Sequence, residues 1–70
     1  MMFVILTHGG GVAAAFHTEA EALATIRQAF DAHGRAYAGR YSLVAEDGLG
    51  HSTPIASGEA LVDRALVPAS

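Results

Sequence analysis

The sequence predicts a small α+β domain with the element order ββαββα, in which one long and one short helix cover one face of a four-stranded, largely antiparallel sheet. Three observations predict this fold: an amphipathic helical pattern at residues 18–34, apolar strand patterns on both sides of it, and two glycine-containing turns typical of hairpins. The chain has 70 residues, which suffices for one domain, so residues 1–70 are assigned to a single unit.

The first strand is predicted at residues 2–7, a short apolar run rich in β-branched and aromatic side chains. Phe3 and Ile5 would face one side of the sheet, and Val4 and Leu6 would face the other. Because both faces of this strand are apolar, we expect it in the centre of the sheet.

The glycines at positions 9–11 predict a hairpin turn, followed by a return strand at residues 12–17. Three glycines allow a loop of two or three residues, and a shift of one residue exchanges the two faces of a strand. A loop made of the first two glycines places Phe3 opposite Phe16, and we prefer this register because aromatic cross-strand pairs are favourable. The register that pairs Val4 with Phe16 stays open.

The long helix is predicted at residues 18–34. Thr18 and Glu21 have the spacing of a capping box, in which the two side chains satisfy backbone N–H groups of the first turn. Gly34 is expected to end the helix as a left-handed C-cap. The apolar stripe that should face the sheet consists of Ala22, Leu23, Ile26, Ala29 and Phe30.

A second hairpin is predicted after a connection at residues 35–40. Residues 41–46 have the alternation of a half-buried third strand. Asp47-Gly48 is the strongest short hairpin signal in the chain, which places the fourth strand at residues 49–57. Pro54 cannot donate a ladder hydrogen bond, so this strand is expected to be an edge strand or to be interrupted.

A short last helix is predicted at residues 58–67, with Ser57 as its N-cap and Pro68 as its stop. Since each hairpin precedes a helix, the two halves suggest a repeat of architecture without a residue-level match. The inward side of the last helix would consist of Leu61, Val62, Ala65 and Leu66.

Composition limits the classes of function. The net charge is −3 with four Arg and no Lys, so few side chains could neutralise phosphates and we do not expect nucleic-acid binding. The absence of Cys excludes disulfides and thiolate metal sites. The apolar start is too short for a signal-peptide core and no run reaches membrane-spanning length, so we expect a cytoplasmic protein without membrane contact. Abundant Ala and Gly without Lys are typical of a GC-rich bacterial genome.

A short chain without disulfides commonly gains stability from a partner subunit. If both helices cover one sheet face, the other face, which carries either Phe3 and Ile5 or Val4 and Leu6, exposes an apolar patch of the size that indicates an interaction site. We therefore expect a non-enzymatic interaction or regulatory module that homodimerises through its sheet, and we leave open a further, unidentified protein partner. The candidate residues for the dimer face are Phe3, Val4, Ile5, Leu6 and Phe16.

The glycine turn supports an alternative function, a small protein that binds an anion or a nucleotide. Gly9, Gly11 and Ala14 match a loose dinucleotide-binding spacing, although this pattern is weakly specific and also fits a plain hairpin turn. The candidate ligand-binding residues are His8, Gly9, Gly10 and Gly11.

The segment FVILTHGG resembles the opening of the mannose-type IIA phosphocarrier domains of bacterial sugar phosphotransferase systems, where a His after the first strand carries phosphate. On this resemblance His8 would be the phosphorylated residue. The likeness covers residues 2–16 and stops there, because the family domain is longer and is built from repeated βα units.

No catalytic residue, metal or cofactor is predicted. His8 and His17 would lie at opposite ends of the first hairpin, about 16 Å apart, which is too far for one coordination sphere. His33 falls at a helix end and His51 beside the second turn, while a His pair across a dimer axis stays open. The serines lack the strand-turn-helix setting of a catalytic nucleophile.

The segment GRAYAGRY interleaves basic and aromatic residues, a pattern that can contact single-stranded nucleic acid. Its two arginines are few for that role. We prefer Tyr41 as a strand residue at the edge of the core and Arg35 as a charge favourable near a helix C-terminus.

Overall fold

Two hairpins, each followed by a helix on the same face of the sheet, form the chain, and the predicted α+β fold is confirmed. The computed structural model describes residues 1–67. One helical turn lies within residues 35–40, the segment predicted as a connection. The strands are β1 (Met2–Leu6), β2 (Val12–Phe16), β3 (Ser42–Glu46) and β4 (Ser52–Ser57), and the helices are α1 (Glu19–His33), α2 (Arg35–Ala38) and α3 (Gly58–Leu66).

The four strands form one antiparallel sheet in the order β2-β1-β3-β4. Strand β1 is therefore central, as its two apolar faces predict. At the middle of the sheet Val4 pairs with Val44. The same row continues to Ala15 on β2 and to Pro54 on β4.

The core lies between the sheet and the helices α1 and α3. Ile5 of β1 and Leu43 of β3 are 2% and 0% exposed, and they share one buried cluster with Ile26 of α1 and Leu61 of α3. Because successive side chains alternate across a strand, Val4 projects from the opposite face. The molecule is a slab of 34 × 32 × 16 Å, so its thickness holds one helix layer on one sheet layer.

Helix α1 begins and ends where the sequence predicts. The Thr18 hydroxyl oxygen accepts a hydrogen bond from the N–H of Glu21 at 3.2 Å, and the hydroxyl donates to the Glu21 carboxylate at 3.0 Å. The Thr18 half of the predicted capping box is therefore formed, whereas the Glu21 carboxylate bonds to the Thr18 hydroxyl and not to a backbone N–H. Gly34 ends the helix with φ +88°, and its N–H donates to the Phe30 carbonyl at 2.8 Å.

The first hairpin has the preferred register with a different loop. Phe3 pairs with Phe16, as predicted. The loop comprises residues 8–10 instead of the first two glycines. The register is kept because a β-bulge next to Leu6 places Val12 opposite that residue and absorbs the difference of one residue.

Both hairpin turns close in the same way. The N–H of Thr7 donates to the Gly11 carbonyl at 2.7 Å, and the N–H of Asp47 donates to the His51 carbonyl at 3.0 Å. Each turn therefore has a three-residue loop, which extends the predicted repeat to backbone geometry. A two-residue Asp-Gly turn is not formed, because Asp47 precedes the loop and uses its carboxylate to hold it.

Strand β4 begins at Ser52 and not at the predicted residue 49, because the loop has three residues. It is an edge strand, as Pro54 predicts. A register shift beside Val44 also interrupts the ladder next to Pro54.

Helix α3 follows β4 directly, with Ser57 at the N-cap position but without a side-chain cap hydrogen bond. Its predicted stop, Pro68, lies outside the described residues. The inward side is as predicted: Leu61, Val62 and Ala65 are buried, and Leu66 packs against the core.

Candidate functional site

Within the described residues 1–67, one face of the sheet carries no helix, and we call it the open sheet face. Its middle row, which crosses all four strands, is entirely apolar. Glu46 is the one charged residue among the set that defines the face. That set comprises Met2, Val4, Leu6, Val12, Ala15, Ser42, Val44, Glu46, Ser52, Pro54 and Ser57.

The structure divides the five predicted dimer-face residues between the two sheet faces. Val4 and Leu6 belong to the open sheet face. Phe3, Ile5 and Phe16 lie on the helix-covered face, where Ile5 is 2% exposed and both Phe side chains pack against the core. These three residues are corrected from dimer candidates to core residues. The sequence left the choice of face open, and it is decided by the side on which α1 packs.

The candidate ligand residues of the glycine turn have their hydrogen-bonding groups engaged locally. The N–H of Gly10 donates to the Thr7 carbonyl at 2.9 Å, and the N–H of Gly11 donates to the Thr7 hydroxyl at 3.1 Å. The N–H groups of Gly10 and Gly11 therefore already donate within the turn, although a bound phosphate would need such donors. His8 and Gly9 are exposed on the loop. The chain then returns as an antiparallel strand, unlike the βα unit that the phosphocarrier resemblance implies.

A groove of about 380 Å³ runs between α1 and the outer part of the sheet, and we call it the α1–β2 groove. Its floor is formed by the core residues Ile5 and Ile26. Small side chains face each other across it, which is why a space remains between helix and strand. They are Ala13 and Ala14 of β2 and Ala29 and Ala32 of α1.

One end of this groove is aromatic and polar. The rings of His33 and Tyr37 are 4.4 Å apart between centroids, and those of Tyr37 and Tyr41 are 5.8 Å apart in an edge-on arrangement. The Tyr41 hydroxyl donates to the Tyr37 hydroxyl at 3.1 Å. This hydrogen bond, together with partial desolvation, raises the pKa of Tyr41, while the nearby charge of Arg40 acts in the opposite direction. The Tyr37 proton is thereby left to donate outward.

A second groove lies between α1 and α3, and its volume is about 550 Å³. Arg64 of α3 spans it, because its Nε donates to the Glu19 carboxylate at 2.6 Å. This ion pair ties the start of α1 to α3. The remaining lining consists of small or apolar side chains such as Ala20 and Leu23.

Other residues that the sequence singled out make structural contacts. The Arg35 guanidinium lies 3.1 Å from the Asp63 carboxylate and 5.8 Å from the Phe30 ring centroid, so it links helix segments. His51 Nδ1 lies 3.3 Å from Asp47 Oδ2 within the second turn. Among residues 1–67, no three His, Asp or Glu side chains gather into a group that could hold a metal ion.

Sequence reasoning missed the α1–β2 groove. The small side chains that create it were read as parts of a strand and a helix, and nothing local to either segment reveals that they meet.

Comparison of the chain with protein family models, with curated proteins and with solved structures finds no match. Within the described residues, no helix has both the length and the apolar character needed to cross a membrane.

Proposed function

We propose that this chain is a non-enzymatic interaction module of the bacterial cytoplasm that forms a homodimer through its open sheet face. The observation that carries the proposal is the uncharged middle row of that face, Ala15, Val4, Val44 and Pro54, which crosses the whole sheet. Four aligned strands without a covering layer are the usual half of a two-sheet sandwich.

A second copy of the chain suits this surface. An interface around a two-fold axis uses the same patch on both subunits, so the patch must be complementary to itself. An apolar row with a single acidic residue at the margin meets this requirement, because a copy opposes apolar groups to apolar groups. Glu46 lies at the end of its strand, where solvent can still reach it.

A dimer through this side of the molecule would use more surface than the sheet alone. A standard interface buries about 800 Å² on each partner. Four strands spaced about 4.8 Å apart, with a rise of about 3.3 Å per residue, make a sheet of roughly 15–20 Å in each direction. An interface of the standard size would therefore also use the loops and strand ends on this 34 × 32 Å side of the slab. Val4 is only 4% exposed within a single copy, so the gain on association comes from the half-buried Met2, Leu6 and Val44. Each of these contributes less than the roughly 1.5–3 kcal/mol of a side chain buried from full exposure, before the entropic cost of association is subtracted.

Light scattering on a dilution series tests the proposal. We expect a mass of twice 7.2 kDa that persists on dilution. Val44→Glu places a charge in the middle row and should yield a monomer, because the dimer would have to bury two like charges.

The matched control is Ala60→Glu, which adds the same charge at an exposed position of α3 and should leave the dimer intact. Circular dichroism on both variants establishes that the helices are retained. A folded wild-type monomer at all concentrations would overturn the proposal, and so would a Val44→Glu variant that remains dimeric.

A further inference from the structure

We propose that the edge of β2 and the adjoining α1–β2 groove bind an extended peptide, which adds a fifth strand to the sheet and places an apolar side chain in the groove. This site lies on the helix-covered side and at the sheet margin. A dimer through the open sheet face would leave it accessible, so the inference goes beyond the proposed function.

The two edges of the sheet are protected to different degrees. Exposed edges in natural proteins are blocked by Pro, by inward-facing charge or by a bulge, because their unpaired N–H and C=O groups recruit other strands. Strand β4 has both Pro54 and a bulge. Strand β2 has a bulge but neither Pro nor any charged residue between Val12 and Phe16. Its outer row of backbone groups can therefore pair with an extended chain.

The groove supplies the second part of such a site. Peptides that extend a sheet gain affinity from main-chain hydrogen bonds and specificity from pockets that take alternate side chains. The α1–β2 groove begins at Ala13 and Ala14 on β2 and has Ile5 and Ile26 at its floor. A side chain of the added strand that points toward α1 would enter this space and cover the floor.

The dimensions of the groove favour a foreign peptide over a second copy of the chain. If β2 paired with β2 of another copy, the side chains offered to the groove would be the small Ala13, Ala14 or Ala15, because Phe16 already packs against its own core and Val12 pairs with Leu6 of the open sheet face. A methyl group cannot fill a space of about 380 Å³. The groove therefore fits a peptide with a bulky side chain such as Leu, Ile or Phe.

The aromatic end of the groove defines the chemistry next to that side chain. The outward proton of Tyr37 and the imidazole of His33 can donate hydrogen bonds, and none of the lining residues is a carboxylate. Arg40 acts electrostatically on the neighbouring Tyr41. A carboxylate on the peptide, from its C-terminus or from an acidic side chain, complements these donors.

The test uses the full-length protein and a defined probe set. The probes are acetylated eight-residue peptides that alternate Thr with Leu, Ile, Val or Phe, prepared with a C-terminal carboxylate, with a C-terminal amide, or with an amide preceded by Glu. We expect some members to bind with a Kd of about 10–100 μM, since ordering the peptide opposes binding. Binding should protect amides of Ala13–Ala15 from hydrogen exchange.

Two variants with matched controls locate the site. Ala32→Phe fills the groove and should weaken binding by about tenfold or more, equivalent to about 1.4 kcal/mol. Ala24→Phe adds the same ring at an exposed position of α1 that does not line this groove, and it should leave binding unchanged. Tyr37→Phe removes the outward hydroxyl and should reduce the preference for peptides that carry a carboxylate.

Each outcome decides the proposal. Failure of the whole probe set to bind, or exchange protection confined to the open sheet face, overturns it. Equal loss of binding in Ala32→Phe and Ala24→Phe overturns it as well. If Ala32→Phe abolishes dimerisation instead of peptide binding, the edge is an interface between copies and the peptide site does not exist.

Discussion

Thr7 and Asp47 occupy the same place in the two hairpin turns, yet they hold those turns with different chemistry. The Thr7 hydroxyl accepts one backbone hydrogen bond, from Gly11 at 3.1 Å. One Asp47 carboxylate oxygen accepts two, from the N–H groups of Leu49 at 2.8 Å and His51 at 3.0 Å. The comparison teaches that a shared backbone turn can be stabilised either by a neutral group or by a titratable one.

The helices that follow the two hairpins differ in the opposite sense, because the first helix has the better side-chain cap and the second hairpin has the better-held turn. Helix α1 has a side-chain cap hydrogen bond at Thr18, whereas Ser57 makes none at the start of α3. In the first half of the chain, side-chain hydrogen bonding stabilises the start of the helix most clearly. In the second half, it stabilises the hairpin turn, through Asp47. Packing in a common core, with Ile26 and Leu61 as members, joins the two halves.

The largest expected effect tests what the two turns share. Gly10 and Gly50 both end their loops at positive φ, +87° and +85°. An L-residue in this region costs roughly 1–2 kcal/mol, so Gly10→Ala and Gly50→Ala should each lower the free energy of unfolding by about that amount. Urea denaturation monitored by circular dichroism gives the measurement.

The control for the glycine prediction lies in the same loops. Gly9 and Gly48 do not have positive φ, and no atom lies within 4 Å of a Cβ added at either position. Alanine there should cause no loss of stability, and restriction of the unfolded chain favours a small gain. Equal losses at all four positions would show that loop flexibility, and not the sign of φ, sets the requirement for glycine.

The two helix starts provide the next test. Thr18→Ala should lower the free energy of unfolding by about 1 kcal/mol, because it removes the acceptor for the Glu21 N–H. Ser57→Ala is the matched change at α3, where there is no side-chain hydrogen bond to lose, so we expect little effect. Similar losses from both substitutions, measured by thermal unfolding, would contradict the difference between the halves.

The parts of the fold that the sequence predicts are those with short-range causes. The Thr18–Glu21 spacing fixes where α1 begins, and Pro54 identifies an edge strand. The loop of the second hairpin was predicted wrongly because Asp-Gly also fits a two-residue turn, and nothing local reveals that the carboxylate will hold a longer one. The face on which α1 packs, and hence the separation of Val4 from Ile5, depends on tertiary contacts. The same holds for the α1–β2 groove, which forms only when a strand and a helix distant in sequence meet.

The smallest expected effect is a difference between the two turns in their stability at low pH. Hydrogen bonds from the backbone of Leu49 and then of His51 hold the pKa of Asp47 below its ordinary value of 3.8. A carboxyl group whose pKa is depressed in the folded state stabilises the fold above its unfolded pKa, and this contribution is lost as pH falls through the folded value. The second hairpin should therefore loosen below pH 3.8, whereas the Thr7 turn has no group that titrates there.

Amide hydrogen exchange at His51 and Gly11 measures this difference, after correction for the intrinsic pH dependence of exchange. Protection of His51 should decline in acid more than protection of Gly11. The matched variant is Asp47→Asn, whose side-chain oxygen can accept the same two hydrogen bonds but does not titrate. Its second hairpin should keep the same protection across this pH range. If the wild type and Asp47→Asn respond identically, the acid sensitivity belongs to other carboxylates, and the two turns are equivalent in their response to pH.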